Sequence, residues 1–281
     1  MKIETYAKNT WCPGCGNFGI ISAFKKAIEN EDLEKLTIVT GIGCHGKMFD
    51  YLNLSGFYAL HGRPIATAVG IKFGNPELKV VVFAGDGDTY NEGISHLIHA
   101  ANSNIDIKVF VHNNQVFALT VGQPTSTSEK GFIGKLKPLG KVGYPLNPIF
   151  LALASGATFV ARAFAYDISH LTFIMEEALN HKGFAFVDIL QPCISFHDPS
   201  QFIRKHSYKL EEENHDFTNF KAAIEKALEW NYNYNPNSKI PLGIFYKVEK
   251  ETIQDLIPHS KQVWHKIQRN VKLEEIIKEF Y

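Results

Sequence analysis

The sequence is short of several features that would set a chain apart from ordinary folded proteins. No uninterrupted apolar run reaches the ~18 residues of a membrane-spanning helix. The opening Met1-Lys2-Ile3-Glu4 lacks the apolar core of a secretion signal, so a cytoplasmic protein with no membrane contact is expected. Neither sign of charge is in excess: 29 Lys and Arg face 29 Asp and Glu. Bulk charge therefore gives no reason to expect a nucleic acid or a lipid surface as partner. Cysteine is scarce, four in 281 residues, which argues against a disulfide framework. Internal repeats and low-complexity tracts are also missing. What is present is a 45% hydrophobic composition, enough for a substantial core in one large domain or two small ones.

The most informative stretch is Gly85-Asp86-Gly87-Asp88. It follows an apolar, β-branched run, Val80 to Ala84, that reads as a fully buried strand, and the polar residues after it are expected to open a helix. Ile94, Leu97, Ile98 and Ala101 recur at helical spacing, and Ile107 to Val111 reads as the next buried strand, delivering Asn113-Asn114 at its end. Asp86 and Asn114 thus fall at carboxyl ends of strands in one parallel sheet, the edge where open α/β sheets bind ligands. A hard cation such as magnesium takes oxygen donors and shares its coordination with phosphates. Asp86, Asn114 and the Val116 carbonyl could supply three such donors. Gly85 and Gly87 would let the backbone approach, and a following helix N-terminus would face an anion. The alternative is a pair of turn glycines with an unrelated Asn-rich strand end.

Other strand ends and loops carry candidates. Trp11-Cys12-Pro13-Gly14-Cys15-Gly16 is a tight turn placing two sulfurs on one side, ahead of an amphipathic helix from Asn17 to Ala27. Leu36 to Thr40 reads as the first strand and ends at Gly41-Ile42-Gly43-Cys44-His45-Gly46-Lys47. His61 and Arg63 precede a small-residue helix, Ile65 to Phe73, with Pro64 at its first turn. Each of those two side chains could equally be a structural hydrogen bonder or a solvated charge. Phe117 to Ser128 is a polar loop of the kind that closes over a ligand, or else a flexible surface loop. Thr158 to Ala161 and Phe184 to Leu190 read as strands around a helix from His170 to Asn180, and the second ends at Gln191-Pro192-Cys193. Asp198 to His215 reads as irregular, Phe217 to Trp230 as helix, Ile240 to Tyr246 as strand and Leu273 to Tyr281 as a terminal helix. Residues 1–200 are expected to form the ligand-binding domain. Residues 201–281 are expected to form an extension packed on that domain and on a partner.

Cys12, Cys15, Cys44 and Cys193 form one close pair and two distant singles. They converge only if their strand ends share one face of the sheet. Structural zinc more often uses two close pairs, whereas four cysteine thiolates also serve 4Fe-4S centres. Zinc and four unconnected thiols stay open on the residues alone.

The Gly-Asp-Gly after one strand and the Asn-Asn after the next, with 28 positions from Asp86 to Asn114, resemble the diphosphate-binding motif of thiamine diphosphate enzymes. Together with the cysteine motifs, Leu60-His61-Gly62-Arg63 and Cys193, the set is similar to the beta subunit of 2-oxoacid:ferredoxin oxidoreductases. The resemblance spans residues 10 to about 195, and more loosely Ile240 to Lys247. It implies an α/β thiamine diphosphate-binding fold, a mostly parallel sheet with helices on both faces. It implies thiamine diphosphate held through Mg2+ by Asp86, Asn114 and the Val116 carbonyl, and a 4Fe-4S cluster on the four cysteines. Ile42, Gly43, Cys44, His45, His61, Gly85, Gly87, Asp88, Ala118 and Leu119 would line the cofactor. Lys47, Arg63 and His45 are the candidates for meeting a substrate carboxylate or moving protons. The implied activity is coenzyme A-dependent oxidative decarboxylation of a 2-oxoacid such as pyruvate or 2-oxoglutarate, with electrons passing to ferredoxin.

The chain has no room for the separate pyrimidine-binding domain whose Glu activates the cofactor, so activity is expected only with an alpha subunit. The competing expectations are a non-redox thiamine diphosphate lyase or synthase half, and an iron-sulfur module that binds a diphosphate structurally. The chain departs from the family in having Val121 where many relatives carry Lys, which bears on substrate preference. It also lacks the Cys-rich runs of ferredoxin-like domains.

Overall fold

The computed structural model describes residues 3–257, 262–266 and 272–280. Eight strands form one sheet: β1 (Leu36–Thr40), β2 (Ser55–Tyr58), β3 (Lys79–Gly85), β4 (Lys108–Asn113), β7 (Phe159–Phe164), β8 (Ala185–Leu190), β9 (Ser207–Lys209) and β10 (Ile240–Lys247). Their order across it is β2-β1-β3-β4-β8-β7-β10-β9. A small hairpin, β5 (Val116–Phe117) with β6 (Gln123–Pro124), stands apart. Pairing is parallel from β2 through to β7; β10 runs antiparallel to β7 and parallel to β9.

The central strands are apolar along their whole length because both faces are covered. Side chains alternate between the two faces. Val81, Phe83 and Phe110 join a core with Ile20 and Phe24 of α1 (Asn17–Ala27), Met48 of α2 (Met48–Tyr51), and Leu171, Ile174 and Met175 of α6 (Ile168–Asn180). Val80, Val82, Val109 and Val111 pack on the other side. Their partners are α3 (Pro64–Gly74), α4 (Ile94–Asn102), α5 (Pro148–Ala154) and α8 (Phe220–Leu228). The sheet with helices on both faces is therefore the observed architecture. No described helix is long and apolar enough to cross a membrane.

Several local expectations shift. The strand read as Thr158 to Ala161 runs from Phe159 to Phe164. The helix expected directly after Gly85 begins as a wide π-type turn, Gly87–Glu92, before α4. Asp198 to His215, read as irregular for its charge, contains α7 (Ser200–His206), β9 and a 3-10 turn, Leu210–Glu212. There the long polar side chains lie outward while Ile203 and Leu210 are buried, a pattern too short to register as periodicity. Residues beyond 200 supply β9 and β10 to the sheet itself. After a short α9 (Ile253–Leu256), the terminal helix is α10 (Leu273–Lys278), and Tyr281 lies outside the described residues.

The helix α1 comes down on the sheet at Gly19: a Cβ there would stand 1.9 Å from the Ala165 carbonyl oxygen. That close approach brings the Cys12 to Cys15 turn to the end of β7. Tyr166 fixes it by donating its hydroxyl hydrogen to the Gly14 carbonyl at 2.7 Å, and the Trp11 indole N–H donates to the Cys44 carbonyl at 2.7 Å.

Candidate functional site

Five adjacent parallel strands, β2, β1, β3, β4 and β8, end on the same edge. The loops that leave them enclose a cavity of about 70 Å³. Ile42, Gly43, Cys44, His45, His61, Gly85, Asp86, Gly87, Asp88, Asn114, Val116, Ala118 and Leu119 all line it. Thirteen residues expected from the sequence to contact cofactor or cation thus meet around one space.

Asp86 sits at the base, 2% exposed. Its Oδ2 accepts hydrogen bonds from Thr125 Oγ1 and, at 3.0 Å, Thr127 Oγ1. Burial pushes the carboxyl up to about 6, against the pull of those two hydroxyls. Such a carboxylate, short of positive charge, suits a cation. On the next strand, Asn114 Oδ1 accepts from the Val116 N–H at 3.1 Å. The Val116 carbonyl accepts from the Ala118 N–H at 2.9 Å and keeps a second lone pair. Between them Gln115 is in the left-handed region, φ 61°. The neighbours overdetermine that conformation: Gln115 Nε2 donates to the Thr127 carbonyl at 2.6 Å, Ser128 Oγ donates to the Gln115 carbonyl, and the Tyr234 hydroxyl donates to Gln115 Oε1. The carboxylate, amide oxygen and main-chain carbonyl fit a hard, oxygen-liganded cation.

Asp88, also 2% exposed, holds the opposite wall. Its Oδ1 accepts from the Gly62 N–H and lies 3.2 Å from His61 Nδ1, while Oδ2 lies 3.3 Å from His45 Nε2. His45 Nε2 in turn accepts from the Gly85 N–H at 3.0 Å. The imidazole is slotted between two glycines: a Cβ on Gly43 or Gly85 would come within 2.7 or 2.8 Å of its Cε1. Gly87 makes similar room for Phe117, whose ring would be 2.2 Å from a Cβ there.

A second cavity, about 230 Å³, adjoins the first and is lined by Cys12, Cys15, Cys44 and Cys193. The two share Cys44, Asn114, Ala118, Leu119 and Gln191 as a common wall. Among the described residues no three His, Cys, Asp or Glu side chains are gathered tightly enough to stand as a metal-holding group. The four sulfurs nevertheless face one space. Burial, reinforced by the neighbouring thiols, pushes Cys15 up to about 11 and also raises Cys44, though Lys47 opposes the latter. Four soft sulfur donors around one space fit an iron-sulfur cluster or zinc, either of which takes cysteine as thiolate.

Of the three residues considered for substrate contact or proton transfer, His45 and Lys47 face these cavities but on different sides. Lys47 lines the cysteine cavity and its Nζ donates to Thr10 Oγ1 at 2.9 Å. Arg63 lines neither; its Nη1 donates to the carbonyls of Gly62 and Glu92 at 3.2 and 3.4 Å. The sequence reading missed His112 and Gln191, both buried in the wall of the first cavity. It also missed a polar relay behind Asp86. Thr127 Oγ1 contacts both Asp86 and, at 2.9 Å, Asn113 Oδ1; Asn113 Nδ2 donates to Asp188 Oδ1 at 3.0 Å. Asp188 further accepts from Tyr90 at 2.7 Å and Tyr232 at 2.5 Å, and Arg162 Nε donates to the Tyr232 hydroxyl at 3.3 Å. A charged residue inside the apolar run Ala185 to Leu190 was the available signal.

A family profile described as thiamine pyrophosphate enzyme, C-terminal TPP binding domain, matches residues 41–189, and a second, describing the C-terminal part of the pyruvate ferredoxin oxidoreductase beta subunit, matches residues 193–262. The chain is 43% identical over 266 residues to a 2-oxoacid:ferredoxin oxidoreductase subunit beta of Saccharolobus solfataricus, covering 89% of this chain and 84% of that protein. It is 41% identical over 192 residues to a 2-oxoglutarate oxidoreductase subunit of Mycobacterium tuberculosis, covering 68% and 52%. Among solved structures, a 2-oxoglutarate:ferredoxin oxidoreductase from Magnetococcus marinus, with 2-oxoglutarate, coenzyme A and succinyl-CoA bound, superposes with a TM-score of 0.89 at 31% identity. That match covers 99% of this chain and 94% of the other.

Proposed function

The chain belongs to the beta subunits of 2-oxoacid:ferredoxin oxidoreductases, and from that premise we propose that it binds thiamine diphosphate through Mg2+ beside a 4Fe-4S cluster and works with an alpha subunit. The single observation that carries this reading is the shared wall: the cavity bearing Asp86 and Asn114 and the cavity bearing all four cysteines are separated only by Cys44, Asn114, Ala118, Leu119 and Gln191.

Asp86, Asn114 and the Val116 carbonyl would hold the cation, and Cys12, Cys15, Cys44 and Cys193 would hold the cluster. Thiamine diphosphate would supply the electron sink for decarboxylating a 2-oxoacid there, and a cluster would supply one-electron chemistry. The protein's own part is position and electrostatics. Gly85 and Gly87 let backbone and the His45 ring crowd the diphosphate end; the Gly85 N–H holds His45 through Nε2, and Asp88 orients His61 beside it. Lys47, which lines the cysteine cavity, meets an anionic group of substrate or coenzyme A by charge. Coenzyme A accepts the acyl group and ferredoxin the electrons. The activating Glu is supplied by the alpha partner, so this chain alone is inactive, and it works in the cytoplasm.

The test is thiamine-dependent, coenzyme A-dependent CO2 release and dye reduction by the reconstituted complex. Asp86→Ala is expected to abolish both and Cys44→Ala to abolish dye reduction. Electron transfer without CO2 release would sink the assignment. Zinc in place of iron would move it to a non-redox lyase or synthase.

A further inference from the structure

Gln191 is the polar side chain that stands between the two cavities without being a candidate ligand of either. It follows β8 directly, is 3% exposed, and lines both spaces. Two features fix where it stands. Its N–H donates to the Asn113 carbonyl at 2.9 Å, continuing the β4 to β8 ladder by one residue. Its stem fills the room left by Gly16, where a Cβ would come within 2.6 Å of Gln191 Cγ. From that position Nε2 donates to Cys15 Sγ at 3.7 Å. A second donor reaches the sulfur set: Ser195 Oγ donates to Cys12 Sγ at 3.5 Å.

The physical consequence depends on charge. Adding one electron to an iron-sulfur cluster breaks no bond and places negative charge largely on iron and sulfur. A donor aimed at a ligating sulfur therefore stabilises the reduced form more than the oxidised one and raises the reduction potential. A donor in a dry wall acts more strongly than one in water, because solvent does not replace it when it is removed. Gln191 is in such a wall. Ser195 is exposed, and water can stand in for its hydroxyl.

We infer that Gln191 is a positioning residue for electron transfer: its side-chain amide, anchored on β8 and packed against Gly16, sets the potential of the cluster on the cofactor side, with Ser195 a weaker second donor. This rests on the reading of the four cysteines as cluster ligands. An electron leaving the cofactor cavity would meet the cluster at the face that Gln191 polarises.

The experiment uses the full complex purified without oxygen. Iron and sulfide are measured first, and then the midpoint potential is followed by EPR under mediated dithionite titration. Gln191→Met keeps the length of the side chain and removes its N–H groups. The expected result is a lower midpoint for Q191M at unchanged iron and sulfide, and a smaller downward shift for S195A. A Q191M midpoint coincident with that of the parent, at full cluster content, overturns the inference while leaving the assignment of the cysteines intact. A parent complex devoid of iron removes the assignment and the inference together. Because Q191M could lose the cluster, the parent is also examined by pulsed EPR with glutamine labelled with 15N at the side-chain amide. A coupling from that nitrogen to the reduced cluster is expected, and its absence is equally decisive against the inference.

Discussion

Replacing Asp188 with Asn tests how the site is held from behind. The carboxylate is fully buried on β8 and accepts from Tyr90, Asn113 and Tyr232. Burial raises it, and Arg162, its register partner on β7, opposes that shift with the hydrogen bonds. The amide of D188N retains one acceptor oxygen for three donors, brings an NH2 group without a matching acceptor, and leaves Arg162 buried with no carboxylate. Removing one partner of a buried charge arrangement costs about 3–5 kcal/mol. At about 2–4 °C per kcal/mol for a chain of this size, the melting temperature should fall by roughly 6–20 °C. Thermal unfolding of the parent, D188N, R162M and the double variant is the assay. The coupling should be about 1–3 kcal/mol, the double variant losing less than the sum of the singles. Strict additivity would refute the argument that Arg162 and Asp188 act as a unit. Since Asn113 and Thr127 carry the relay on to Asp86, D188N should also weaken Mg2+-thiamine diphosphate binding several-fold at temperatures where it is folded.

Three other perturbations follow from single observations. Gly85→Ala puts a Cβ 2.8 Å from His45 Cε1 and must displace the ring, so calorimetry should find cofactor binding weaker by about tenfold, or about 1.4 kcal/mol. His181 is 5% exposed, lies 2.8 Å from Thr158 Oγ1 through Nε2, and is lowered from 6.5 to about 4 by burial and the nearby Lys108. Its folded value lies below its unfolded one, so the neutral form's contribution is intact above pH 6.5 and is lost as pH falls toward 4. Denaturant titrations across that window should show a loss on the order of 2 kcal/mol that His181→Gln flattens. Val121, 47% exposed on the wall of the cysteine cavity, sits at φ 66°, a costly conformation for a β-branched residue. Val121→Lys should change the ranking of 2-oxoacids by kcat/KM, and an unchanged ranking would remove this loop from substrate choice.

The parts legible in the sequence were those where chemistry interrupts a strong period. Asp86 and Asn114 stand out because polar residues end two apolar strands, and the four cysteines because each follows a strand or turn; the fold brings the first two to one cavity and the cysteines to its neighbour. What escaped was set by long-range packing. The relay through Asp188, Arg162 and Tyr232 joins β8, β7 and a segment beyond 200, and nothing local announces it apart from one Asp in an apolar run. Tyr234 reaching Gln115 belongs to the same class. Arg63, singled out for its position ahead of a helix, lines neither cavity: its guanidinium donates to the carbonyls beside it. The π-type turn at Gly87–Glu92 was invisible because its residues suit an ordinary helix start equally well.

The central claim is that thiamine diphosphate and a four-cysteine cluster share a wall in this chain. The most direct measurement is iron and acid-labile sulfide per chain in oxygen-free preparations, with the visible spectrum recorded before and after dithionite. About four of each, with absorbance that bleaches on reduction, is the expected result. Zinc, or cysteines free of metal, would contradict it.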